Sequence, residues 1–278
     1  MKTRSKNPQS FIQKAGLRYS FFILAILFIT SAWTLFETTK PVIYIIGDST
    51  VKNGRGNGDG GLWGWGNFIP QFFDTTKITI ENDAIGGRSS RTFITEGRWD
   101  AVLAKLKPGD FLLIQFGHND GGPLADTSRA RGTIRGIGDE SKEIYNPIRK
   151  KQEVVYTYGY YMRKYITDAK SKGVTPIVCS PIPRNIWKDG KIARDSASYT
   201  TWSSQVAEKG KCLFINLNEI ICNQYDKLGE EKVKTTMFTT KDHTHTTREG
   251  AILNAASVVE GVKNIKECPL NKYLLTSK

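Results

Sequence analysis

At 278 residues, 39% hydrophobic and 24% charged, the chain is long and apolar enough to bury one large core, which sets aside both intrinsic disorder and a disulfide-stapled mini-domain. Its formal net charge of +13 favours anionic partners, although composition alone does not separate an anionic substrate from a merely solubilising surface. Neither an internal repeat nor a low-complexity tract is visible.

The first forty residues differ in kind from the rest. Lys2, Arg4, Lys6, Lys14 and Arg18, unaccompanied by any acid, precede an apolar run from Phe21 to Phe36 that Thr30, Ser31 and Thr34 interrupt. A basic head followed by a hydrophobic stretch is the order of an export signal. The run falls short of the ~20 residues a comfortable membrane span wants. A weak cleavage site ends at Ala32, yet Trp33 and Leu35 prolong the apolar character, so residues 1–40 read as a signal peptide or an uncleaved signal anchor. The alternative is a buried N-terminal helix of a cytosolic protein. In the first two cases the basic flank stays inside and residues 41–278 cross the membrane, giving a periplasmic, extracellular or membrane-anchored domain. Without residues 1–40, which also hold Glu37 and Lys40, 34 Lys and Arg stand against 26 Asp and Glu, about +8. For an exported protein without a nucleic-acid motif, that balance points to an acidic polysaccharide rather than nucleic acid.

From Val42 onward the pattern alternates. Apolar runs at Val42 to Ile46, Lys77 to Glu81, Asp110 to Phe116, Val174 to Cys179 and Cys212 to Leu217 predict strands. Helical spacing appears around Gly64 to Phe73, Arg98 to Lys105, Val154 to Lys172, Tyr199 to Lys209 and Thr247 to Lys263. Near-continuous apolar strands separated by helices predict a parallel sheet of about five strands covered on both faces, a three-layer α/β/α sandwich. The interval Gly117 to Pro147, rich in Gly, Arg and Asp, is too long for a routine connection and reads as a functional loop. Cys179, Cys212, Cys222 and Cys268 allow three complete pairings among which sequence does not choose, and none has zinc-site spacing. Cys179, at a strand end, reads as a buried free thiol.

Chemistry-bearing strings sit at the strand ends. The first strand stops at Gly47-Asp48-Ser49-Thr50, the second is followed by Asn82-Asp83-Ala84-Ile85-Gly86-Gly87-Arg88-Ser89, and the third by Gly117-His118-Asn119-Asp120. In an open α/β sheet these turns share one rim, where ligands bind. A serine nucleophile needs a base, and the base needs a carboxylate to fix its tautomer. Two of the three histidines fall in Asp242-His243-Thr244-His245, just before a helix, and the spacing of Asp242 and His245 lets the carboxylate fold back onto the ring. The chain order Ser, Asp, His matches one known solution on an α/β sheet. Alone, the string could instead cap a helix or hold a metal, but a metal needs further ligands, of which only His118 and carboxylates remain. Gly87, Asn119 and the N–H of Ser49 have the donors that an acyl-transfer oxyanion requires.

Together these blocks resemble the SGNH/GDSL hydrolases. More narrowly, Val42 to Val262 resembles the rhamnogalacturonan acetylesterases of carbohydrate esterase family 12. The marks are Gly47-Asp48-Ser49-Thr50-Val51, Gly64-Trp65-Gly66, Asn82-Asp83-Ala84, Gly87-Arg88-Ser89-x-Arg91-Thr92-Phe93, Glu96-Gly97-Arg98, Gly117-His118-Asn119-Asp120-Gly121-Gly122 and Asp242-His243-Thr244-His245-Thr246. The resemblance implies a flavodoxin-like sheet and no cofactor, Ser49 as nucleophile, His245 as general base, Asp242 as its orienter, and Ser49, Gly87 and Asn119 as oxyanion donors; with so few further ligands, no metal is expected either.

The expected substrate is an acetylated acidic polysaccharide. Arg88, Arg91 and Arg184 could pair its carboxylates and His118 could line the site. Trp65 and Trp187 could stack on sugar faces, whereas Trp99 reads as core because it sits on a helix. Two rivals stand beside this reading. One is an SGNH esterase for acetylated xylan or acyl lipid; the other is a non-catalytic glycan-binding protein of the envelope, which would be expected to lack part of the triad.

Overall fold

The computed structural model describes residues 40–56, 58–194, 198–240 and 242–276. The expectation of a leader at residues 1–40 falls outside the described residues, Lys40 apart. Nine strands and seven α-helices are described: β1 (Val42–Gly47), β2 (Thr79–Asn82), α1 (Ser90–Thr95), α2 (Arg98–Lys105), β3 (Phe111–Gln115), β4 (Ser141–Asn146), β5 (Lys151–Tyr156), α3 (Tyr158–Ser171), β6 (Thr175–Cys179), β7 (Trp187–Lys188), β8 (Lys191–Ile192), α4 (Tyr199–Lys209), β9 (Leu213–Ile215), α5 (Leu217–Leu228), α6 (Glu230–Thr236) and α7 (Arg248–Asn264). A 3-10 stretch, Trp65–Phe72, lies between β1 and β2.

Five strands pair in the order β2-β1-β3-β6-β9, all in parallel. This is the expected sheet of five, and its order reverses between β1 and β3. Along β1 the side chains alternate between two cores: Ile43 and Ile45 pack with Trp65, Ile221, Val258 and Val262, while Tyr44 and Ile46 pack with Phe93, Trp99, Met162 and Val206. Strands buried on both faces have no polar alternation to display, hence their continuous apolar runs. Trp99 is fully buried, as its helical position predicted.

The sequence reading extends the third long helix too far toward its N-terminus. Val154 and Val155 lie in β5, paired antiparallel with β4, and the helix starts only after Thr157, whose side chain accepts from the Tyr160 N–H at 3.0 Å. β-Branched and aromatic residues suit a pleated strand better than a helix, and the threonine supplies the cap that separates the two. The short helices α1 and α6 and the 12-residue helix α5 were not foreseen. The long interval after β3 ends in the β4–β5 hairpin. All four cysteines are free, and Cys179 is buried, with burial pushing its thiol well above the ordinary range.

Candidate active site

The sheet order fixes where the site forms. Parallel strands with a reversal between β1 and β3 leave a crevice at their carboxyl ends. Ser49 emerges beyond β1, Gly87 beyond β2 and Asn119 beyond β3. Gly47 is required at the first of these turns, because a Cβ there would come within 2.6 Å of both the Gln115 carbonyl and Val51 Cγ2.

Ser49 Oγ lies 2.9 Å from His245 Nε2, and His245 Nδ1 lies 2.8 Å from Asp242 Oδ2. The other Asp242 oxygen accepts from the backbone N–H groups of Thr244 at 2.7 Å and His245 at 2.8 Å. Burial works to raise the Asp242 carboxyl, but the backbone bond from His245, its ring and the bond from Thr244 outweigh it and hold the group below the ordinary carboxylate range. The carboxylate therefore stays ionised and keeps the Nδ1 proton in place. Neighbouring segments tie this loop down: the Asn185 N–H donates to the His243 carbonyl at 2.7 Å, Arg184 Nη1 donates to Thr244 Oγ1, and Thr246 Oγ1 donates to the Trp63 carbonyl at 2.8 Å. Thr247 then caps α7.

Gly87 has φ +78°, a left-handed conformation that a glycine adopts without penalty. Its neighbour Gly86 lies against Ser49, so that a Cβ there would sit 3.6 Å from the serine Cβ. The loop then enters α1 through a capping box in which the Ser89 hydroxyl accepts from the Thr92 N–H and Thr92 Oγ1 accepts from the Ser89 N–H. Asn119 is buried, and one of its amide hydrogens is spent on the Arg88 carbonyl at 2.9 Å. That bond fixes the amide plane and leaves the second hydrogen for an oxyanion. Ser49, Gly86, Gly87, His118, Asn119 and His245 all border one cleft of about 1090 Å³.

Behind Ser49 runs a buried chain that the sequence did not reveal. Trp65 Nε1 donates to Gln115 Oε1 at 2.8 Å, Gln115 Nε2 donates to Thr50 Oγ1 at 2.7 Å, and Thr50 Oγ1 and N–H both donate to Asp48 Oδ1 at 2.8 Å. Asp48 Oδ2 faces His118 Nδ1 at 3.4 Å. Burial favours a raised Asp48 pKa, yet His118 and the two Thr50 bonds prevail and lower it. Next to this chain the fully buried Asp120 accepts from the Ser90 N–H and hydroxyl, and burial, assisted by the charge of Asp48, pushes its carboxyl up to about 7.

Several expected substrate contacts are corrected. Trp65 is 0% exposed and serves the chain behind Ser49, so it offers no face to a sugar. Arg91 is also 0% exposed: its Nε meets Glu153 Oε1 at 2.8 Å, and its Nη1 donates to the carbonyls of Leu124 at 3.0 Å and Gly132 at 2.8 Å. A cation in that setting holds chain segments together and does not reach a ligand. Trp187 is half-buried against the core, bonded to its neighbour Asn185, and does not border the cleft. His118 borders the cleft but its ring is nearly enclosed, with Nε2 against the Ile182 carbonyl at 3.1 Å and Nδ1 toward Asp48. Arg88 and Arg184 do border the cleft. Arg88 is paired there with Glu96 at 3.0 Å. Lys52, Arg55, Arg129 and Arg131 also border it and were missed; for Arg129 and Arg131 the one signal was the Arg-rich loop after β3, and Lys52 and Arg55, after β1, gave none.

Comparison with known proteins accords with this geometry. The model of the GDSL-like lipase/acylhydrolase family matches residues 45–251. The chain is 31% identical to a rhamnogalacturonan acetylesterase of Emericella nidulans over 84% of this chain and 89% of that one. It is 32% identical to a probable rhamnogalacturonan acetylesterase of Bacillus subtilis over 85% and 98%. The solved structure of YxiM from Bacillus subtilis superposes with a TM-score of 0.66 at 25% identity, covering 82% of this chain and 58% of that one, so this chain spans little more than half of it. The acetylxylan esterase Axe2 of Geobacillus stearothermophilus shares the fold, with a TM-score of 0.52 at 16% identity over 80% and 93%. A family match over most of the described domain, together with relatives above 30% identity along nearly their whole length, shows that this chain belongs to the GDSL-like lipase/acylhydrolase family, the SGNH hydrolases, and is a carboxylic ester hydrolase.

Proposed function

We propose that the chain is a serine acetylesterase that deacetylates an acidic polysaccharide of the rhamnogalacturonan type. The observation that carries the substrate class is the charge of the cleft: Lys52, Arg55, Arg88, Arg129, Arg131 and Arg184 border the Ser49 site, Glu96 is the one acid among the described residues that line it, and Asp59 pairs with Arg55 from outside that lining. A concave site of one sign concentrates substrates of the other. The two acetylesterase relatives above 30% identity support the same reading.

In this reading His245 Nε2 takes the Ser49 proton as Oγ bonds to the acetyl carbonyl carbon, and Asp242 stabilises the imidazolium. The tetrahedral oxyanion is held by the N–H groups of Ser49 and Gly87 and by Asn119 Nδ2, donors of a kind worth about 10²–10³-fold each. Collapse expels the sugar oxygen, which receives the proton from His245 and leaves acetyl-Ser49. Water then repeats the cycle and releases acetate. Export by the basic head and apolar stretch ahead of Val42 fits a polymeric substrate that does not enter the cytoplasm.

The test is acetate release from acetylated rhamnogalacturonan and from acetylated xylan, each at low and high salt. The acidic polymer is expected to be turned over faster at low salt and to lose that advantage as salt screens exposed charges. Equal turnover of the two polymers with identical salt profiles would refute the pectic assignment and leave an ester hydrolase of the same family.

A further inference from the structure

The segment between β3 and β4 brings two cations to the cleft that differ from the other arginines there. Arg88 already meets Glu96, and Arg184 is occupied by Thr244 Oγ1 and, at 3.4 Å, by the His118 carbonyl. Among the described residues no carboxylate oxygen lies within 4 Å of the guanidinium nitrogens of Arg129 or Arg131. Arg131 is half-buried, and its Nη1 donates to the Gly87 carbonyl at 3.1 Å. The guanidinium therefore touches the loop that carries a proposed oxyanion donor. Burial and the charge of Arg129 lower the Arg131 pKa, opposed from farther off by Asp48, Asp120 and Asp126. Two neighbouring cations, one partly desolvated and without a close counterion, form an arrangement that an anion would stabilise.

The backbone is organised to hold them there. Ala130, between the two arginines, is buried with φ +42°, a left-handed conformation that costs a non-glycine residue roughly 1–2 kcal/mol. Asp126 holds that turn, since its Oδ1 accepts from the backbone N–H groups of Arg129 and Ala130 at 2.6 and 2.5 Å and its Oδ2 from the Ser128 hydroxyl at 3.2 Å. Arg91 grips the segment on both sides through the Leu124 and Gly132 carbonyls. Strain maintained by such over-determination at the edge of a catalytic cleft is characteristic of functional sites.

We propose that Arg131, with Arg129 beside it, forms a carboxylate-binding subsite that reads a uronate next to the acetylated sugar. This rests on the acidic-polysaccharide reading above. A guanidinium presents parallel N–H donors that match a carboxylate in two bonds, which the point charge of a lysine does not reproduce.

The experiment compares two substrates that differ only at the carboxylate, an acetylated oligogalacturonate and its methyl ester, using the full-length wild type, Arg131→Gln and Arg131→Lys. The wild type is expected to favour the free acid in kcat/KM by about tenfold or more, the factor of one charge-assisted pair. Arg131→Gln should remove most of that preference, chiefly through KM, and Arg131→Lys should retain part of it. A wild type with the preference and an Arg131→Gln variant that keeps it undiminished would overturn the subsite while leaving the acidic substrate intact. A wild type indifferent to methylation would overturn the acidic reading and the subsite with it. Equal losses on both substrates, falling on kcat, would assign Arg131 to the reacting centre and overturn the subsite. If thermal melting shows Arg131→Gln unfolded, Arg129→Gln, at an exposed position, and Arg131→Lys make the same comparison by the same criteria.

Discussion

The turn that carries Ser49 and the segment that carries Arg129 and Arg131 border one cleft but are held by different forces. The Ser49 turn is short, follows a buried parallel strand, and rests on hydrogen bonds that run from Trp65 through Gln115 to Thr50 and end on the Asp48 carboxylate. The arginine-bearing segment belongs to a long excursion without regular periodicity, held by Asp126 and by the buried ion pair of Arg91 with Glu153 of β5. Where chemistry must stay fixed, the backbone of the sheet positions it; where recognition must reach outward, a buried charge pair takes over. Damage to the first half should therefore appear in turnover, and damage to the second in stability and in the choice of substrate.

The sharpest way to break that contrast is at the triad. Ser49→Ala, His245→Ala and Asp242→Asn are each expected to lower kcat by roughly 10⁴-fold or more. Their melting temperatures should stay close to the wild type. An active and folded Ser49→Ala variant would end the assignment of the nucleophile. His243, exposed in the same loop, should tolerate glutamine with little loss.

Next in size is the clamp. Arg91→Met strips the buried Glu153 of its nearest cation, leaving it Asn146 at 2.7 Å and Arg149 at 3.9 Å, and breaking a buried pair in this way costs up to about 3–5 kcal/mol. Denaturant unfolding should record that loss. The double variant Arg91→Met/Glu153→Met should recover part of it, because no orphaned charge remains. Full stability in Arg91→Met would mean that the ion pair does not hold the segment.

A pH series separates the two halves in another way. The Asp120 carboxyl is raised to about 7 in the fold, above the ordinary value of 3.8. The stability it contributes is therefore complete below the unfolded value and is lost as pH rises through about 7, by at most ~1.4 kcal/mol per pH unit. Asp120→Asn should gain on the wild type between pH 4 and 7 in thermal melts, and parallel curves would refute the raised value. Asp242 has the opposite sign. Its lowered carboxyl contributes stability above the ordinary value that is lost only as pH falls through the depressed one. Trp65→Phe keeps an aromatic side chain but removes the pyrrole ring and with it the bond to Gln115, leaving a buried acceptor unsatisfied, a loss of about 1–3 kcal/mol to which the space left behind adds. If Trp65 acts only from behind the nucleophile, KM for the polymer should not change.

What was legible in the chain follows the same division. The strands, their parallel arrangement and the strings around Ser49, Gly87, Asn119, Asp242 and His245 could be read because strand ends and short fixed spacings determine where those residues stand. Arg91 and Trp65 were misread because neighbourhood in sequence does not give side-chain direction. Arg91 lies three residues from Arg88, yet at the second position of α1 its guanidinium turns inward to the carbonyls of Leu124 and Gly132. Arg129 and Arg131 could not be singled out, since the excursion after β3 has no periodicity and its path depends on tertiary bonds from Arg91 and Glu153. Val154 and Val155 were drawn into a helix because a hairpin partner more than ten residues upstream leaves no local sign.

The pairing of Arg91 with Glu153 also bears on how this scaffold can be re-engineered. The arginine sits on the helix that follows the Gly86–Gly87 turn, while its partner sits on the hairpin beyond the segment that carries Arg129 and Arg131. Anyone transplanting residues 117–156 from a relative to change the glycan accepted would be importing one half of an ion pair. Unless the graft also supplies a carboxylate for Arg91, or position 91 is neutralised with it, the chimera would leave a lone charge in the interior. Substrate range in this scaffold should therefore be exchanged as a unit comprising the segment, the hairpin and position 91.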